Sequence, residues 1–129
     1  MSELNRYNIG INNLKHIDGH DGDTVIEALS GLSEDVAKYI IEFVFGDIYN
    51  RQTLDLKQRE MITITSLLSL GNVESQLKVH IKASLNVGLS QKEIIETFIQ
   101  CIPYVGFPRV LNAIFVAKKI FEEKEGNDD

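Results

Sequence analysis

Residues 55–71, DLKQREMITITSLLSLG, decide the fold. Asp55 can cap a helix here, with Gln58 three residues on in a box-like arrangement. Charge is confined to the first turns, and everything after Glu60 is apolar or Ser/Thr. A helix with no polar face is buried on most of its sides. Gly71 stops it at the usual position past the last turn.

The neighbouring segments repeat the pattern. Residues 73–88, VESQLKVHIKASLNVG, read as a second helix stopped by Gly88. Ser90 and Glu93 form a capping box for a third, in which Ile94, Ile95, Phe98, Ile99 and Ile102 recur at helical spacing. Pro103 should kink or end that helix. Gly106 closes it, and Pro108 is placed to be the first residue of the next, RVLNAIFVAKKIFEE. Upstream, Val25, Ile26 and Leu29 mark a short helical stretch from Thr24. Ser33 is a good N-cap for a helix carrying Val36, Ala37, Ile40, Ile41, Val44 and Phe45, which Gly46 should end. Residues 1–22 are polar and Asn/Gly-rich, ending in the turn-like HIDGHDGD.

No strand pattern competes, so the expectation is an all-α, compact bundle of about five to six helices. Residues 1–23 should form a loosely ordered arm, 24–124 a single helical domain, and 125–129 a frayed tail. The 129 residues suffice for one ordinary core, with 43% hydrophobic and 25% charged residues. A net charge of −6 argues against nucleic acid, whose phosphates need a basic face, and offers little to an anionic membrane. The single cysteine, Cys101, fits a reducing compartment. The N-terminal MSELNRYNIG lacks the apolar core of a signal peptide. No run approaches the roughly 20 apolar residues of a membrane span. Cytoplasmic residence is the expectation.

Two ionisable side chains stand out. Glu60 shares its helical stripe with Leu56, Ile64 and Leu67. His80 shares its own with Gln76, Leu77, Ile81 and Ser84. Consecutive helices joined by a short turn usually pack antiparallel, so the two groups can meet. Periodicity alone favours a structural buried pair over an acid/base pair, because structural pairs perturb proton affinities as catalytic ones do. His16 and His20, with Asp18, Asp21 and Asp23 nearby, lack zinc-type ligand spacing and read as solvated. Cys101 reads as a small core residue, with no cation near it in sequence to activate it.

The order GDIYNRQTLDLKQREMITITSLLSLG, then SQLKVHIKASLNVGLSQKEIIETFIQ, then YVGFPRVLNA resembles the carboxymuconolactone decarboxylase family. The resemblance is dense over residues 46–117. It implies an alkylhydroperoxidase D-like, all-helical fold assembling into trimers or hexamers, often interlocked. One branch of that family is a thiol peroxidase with a Cys-x-x-Cys pair just before the histidine. The matching positions here are Val73 and Gln76, so that chemistry should be absent, unless Cys101 replaces the pair. The other branch lacks the cysteines and decarboxylates a carboxylated lactone without cofactor or metal. On that resemblance His80 transfers a proton and Glu60 holds its tautomer or shares its proton. Arg51 is the candidate carboxylate clamp, Tyr104 a donor to the developing anion, and Gln76 a further substrate contact. The implied partners are a small carboxylated substrate and further copies of the chain. A non-catalytic, oligomeric ligand-binding protein is the alternative outside enzymology.

Overall fold

A computed structural model describes residues 3–127. Among them are seven α-helices, one π-helix and no strand. The helices are α1 (Glu3–Asp18), α2 (His20–Leu29), α3 (Glu34–Tyr39), α4 (Leu56–Leu70), α5 (Glu74–Asn86), α6 (Gln91–Val105) and α7 (Phe107–Asn127). The π-helix, Ile40–Ile48, continues α3 without a break. No helix of the described residues is long and apolar enough to cross a membrane. The chain divides into two compact units after Leu56.

The first unit departs most from expectation. A polar arm ending in the turn-like HIDGHDGD was expected here, yet α1 and α2 occupy nearly all of its described part, which raises the helix count to seven. Among the asparagines, Gly10, Leu14 and Ile17 lie on a stripe that buries completely or nearly so. Gly19, at φ +58°, makes the corner between the two helices.

Gly46 does not end its helix. It lies buried within the π-helix, where an added Cβ would sit 2.7 Å from the Arg6 carbonyl oxygen. A Cβ on Gly10 would likewise strike the Ile41 carbonyl. The two glycines therefore let α1 and the π-helix meet backbone to backbone. Asn13 Nδ2 donates to the Phe45 carbonyl at 2.7 Å, satisfying an acceptor near the end of the π-helix. The Arg6 guanidinium grips Asp47 with two bonds, of 3.0 and 2.7 Å.

The second unit, from Lys57 onward, has a conventional side-chain core. Ile64 and Leu68 of α4 pack with Leu77 and Ile81 of α5, Ile94 and Phe98 of α6, and Val110 and Ala113 of α7. Its helix ends follow the residues expected of them. Gly71 closes α4 at φ +73° and Gly106 closes α6 at φ +98°. The Ser90–Glu93 box is complete: the Glu93 amide donates to the Ser90 hydroxyl at 3.0 Å, and the Ser90 amide to the Glu93 carboxylate at 2.9 Å. The Ser90 amide bond holds the Glu93 carboxyl below its usual proton affinity. Pro103 is accommodated in the last turn of α6, which runs to Val105. Pro108 is the second residue of α7 rather than the first. α7 runs to Asn127; residues 128–129, the end of the tail expected to fray, lie outside the described part.

Candidate active site

Glu60 falls one turn into α4, on the face that carries Ile64 and Leu68 into the core. It is fully buried there, at 0% exposure. His80, in the middle of α5, brings Nδ1 to 3.2 Å from Glu60 Oε2. The His80 side chain keeps 16% of its surface accessible while that of Glu60 has none. The carboxylate thus stands behind the ring, and the ring is the member of the pair that reaches the surface.

This placement has a chemical consequence. A carboxylate accepts, so the proton in the contact belongs on Nδ1, and Nε2 is left to give or take the second one. A buried acid aligned on one ring nitrogen fixes the tautomer and stabilises the imidazolium when it forms. Such a pair can deliver a proton to a substrate atom or remove one from it.

Ser84, which shares the His80 stripe, was not assigned a role from the sequence. Fully buried, it donates from Oγ to the His80 carbonyl at 2.7 Å. A hydroxyl four residues after the histidine is the signal that could have marked it.

The remaining candidates lie elsewhere. Gln76, one turn before His80 on α5, is exposed. Tyr104, in the last turn of α6, is 82% exposed. Arg51 belongs to the first unit, exposed in the connector after the π-helix. Cys101 is buried on α6, its thiol directed to the Thr97 carbonyl at 3.3 Å. His16 and His20 are exposed on α1 and α2. Among the described residues no group of three or more His, Cys, Asp or Glu side chains gathers as a metal site.

The model of the carboxymuconolactone decarboxylase family matches residues 34–119, and the chain belongs to that family. Over 124 residues it is 28% identical to the 4-carboxymuconolactone decarboxylase of Acinetobacter baylyi, covering 95% of this chain and 92% of the relative. It is 29% identical over 101 residues to an uncharacterized 15.0 kDa protein of Paracoccus denitrificans, covering 78% and 75%. Similarity also extends to the nitrosuccinic acid decarboxylase of Metarhizium robertsii, at 27% over 84 residues, covering 65% and 58%.

Proposed function

We propose that the protein is a decarboxylase acting on a small carboxylated lactone or a related acid, with His80 as proton donor. The observation that carries this reading is the contact between a fully buried Glu60 and a partly exposed His80, in a chain whose relatives include two proteins named as decarboxylases. In such a reaction the bond from carbon to the carboxylate breaks and its electron pair stays on the substrate as an enolate-like anion. CO₂ departs and a proton must reach the carbon. His80, protonated with Nδ1 on Glu60, delivers that proton from Nε2 and takes another from solvent.

Glu60 keeps the ring aligned and stabilises its charged form before transfer. A positioned acid of this kind contributes roughly 10²–10⁴ in rate. Stabilising the anion usually contributes most. Arg51 as carboxylate clamp, and Tyr104 and Gln76 as donors, remain this reading's assignments for substrate binding; they rest on family resemblance.

CO₂ release from 4-carboxymuconolactone, nitrosuccinate and related small acids is the measurement, with wild type, His80→Gln and Glu60→Gln compared. Wild-type turnover on at least one of them is expected. In both variants kcat should fall by about 10²–10⁴, while the melting temperature changes little. If the pair is only structural, breaking it costs about 3–5 kcal/mol and leaves turnover intact. That outcome returns His80 and Glu60 to the core and overturns the assignment.

A further inference from the structure

The apolar core of the second unit takes α4 side chains from Ile64 onward. Glu60 lies one turn earlier, so aliphatic packing does not extend to the turn that carries it. Yet that turn has to stay in register with the second half of α5, where His80 meets the carboxylate.

Lys57 reaches the end of α5. A Cβ added to Gly88 would sit 2.9 Å from Lys57 Cε and 3.6 Å from its Nζ. Gly88 stops α5 at φ +107°, and its bare Cα is what lets the lysine stem lie across the turn. The tip acts on the next helix as well. The Ser90 bonds hold the Glu93 carboxyl low first, and the Lys57 charge adds to them. One side chain from the first turn of α4 thus touches the stop of α5 and the cap of α6.

From that stop the bonds run back to the histidine. Leu89, buried just past Gly88, donates its amide to the Ser84 carbonyl at 3.0 Å. The Ser84 hydroxyl donates to the His80 carbonyl at 2.7 Å. The turn, the serine and the histidine are therefore one bonded stretch. On the facing helix Lys57 stands three positions before Glu60, its neighbour along α4.

We infer that Lys57 is a positioning residue, which by lying across Gly88 sets the register of α4 on α5 that brings Glu60 to Nδ1 of His80. It acts through Glu60 and takes no part in the proton transfer itself. Lys57 is exposed, so its charge contributes little alone and the stem lying on the glycine carries most of the effect. The kinetic consequence rests on the decarboxylase reading; the geometric one does not.

The test compares wild type, Lys57→Ala and Lys57→Arg, the last keeping a long stem and a charge. Nitrogen-15 shifts of the His80 ring, identified by their loss in His80→Gln, report which ring nitrogen holds the proton, with no substrate needed. The wild type should show the Nδ1-protonated tautomer, Lys57→Ala a mixture of the two, and Lys57→Arg the wild-type form again. On an acid that the wild type turns over, Lys57→Ala should lower kcat about tenfold, less than the roughly hundredfold that a 1 Å misplacement costs. KM and the melting temperature should hold, and Lys57→Arg should recover kcat. His80 shifts unchanged in Lys57→Ala overturn the inference, and so does a change that Lys57→Arg fails to reverse. A wild type without turnover on any acid overturns the decarboxylase reading alone, because the ring shifts still decide the role of Lys57.

Discussion

The two units are held together in different ways. In the second, side chains of four helices interlock around Phe98, Ile64, Ile81 and Ile94, each wholly buried. In the first, the closest approach is between main chains, at Gly10 over Ile41 and Gly46 over Arg6. Side-chain packing tolerates adjustment, because a rotamer or a methyl group can give way. Backbone against backbone tolerates none, since a displaced carbonyl moves a whole helix. The first unit thus depends on what its sequence leaves out, and the second on what it contains.

The largest effect should come from emptying the side-chain core. Phe98→Ala removes a ring with no exposed surface, and such substitutions cost about 3–5 kcal/mol in chemical denaturation. Hydrogen exchange should show the loss first in α4–α7. Protection lost equally in α1 and the π-helix would mean that the two units unfold as one, which would weaken the contrast.

Gly10→Ala tests the other mode and has a sign to decide. Helix propensity alone predicts a gain of about 1 kcal/mol, since alanine replaces glycine within α1. The clash with the Ile41 carbonyl predicts a loss of about 1–3 kcal/mol. The clash should win, because the opposing atom is backbone rather than the end of a flexible side chain. A raised melting temperature would show that α1 does not lie against the π-helix in this way.

The smallest expected effect separates the units by acid. The hydrogen bond from Arg6 holds the Asp47 carboxyl below its ordinary proton affinity, and the Ser90 amide does the same for Glu93. A carboxyl whose folded value is depressed adds stability above its unfolded value, about 3.9 for Asp and 4.3 for Glu. That contribution is lost as pH falls through the lower folded value. Denaturation midpoints should therefore decline below roughly pH 4. Arg6→Ala should remove the Asp47 share, and Glu93→Gln, which cannot titrate, the Glu93 share. With 31% and 33% of their side chains accessible, Arg6 and Asp47 form an ion pair that solvent still reaches, so added salt should shrink the Arg6 effect most.

The same contrast explains what could be read from sequence. In the second unit the helices announce themselves by apolar spacing, and α4 and α6 also by their ends: Ser90 with Glu93, Gly71, Gly106. The Glu60–His80 contact was legible there because both residues share stripes with core aliphatics. Tyr104, named from resemblance alone, had no such stripe and is exposed; Gln76 shared the His80 stripe and is exposed as well. In the first unit the asparagines hid a helix. Gly46, read as a stop, is a contact point, because a glycine chosen for close approach looks the same in sequence as one chosen for a turn. Periodicity counts side chains, and this crossing is made where there are none.

A π-turn closes a longer ring than an α-turn, fixing more dihedral angles before its first hydrogen bond forms. Residues 40–48 have no local route to that shape. Their support comes from α1, whose Asn13 lies 32 positions from the Phe45 carbonyl it satisfies. Loop closure must then precede the change of register. An isolated peptide spanning residues 34–50 should be α-helical or uncoiled, and the wider turn should appear only when α1 docks. The final step in forming this unit is then a shift of hydrogen bonds along a helix already present, timed by a partner from the other end of the loop.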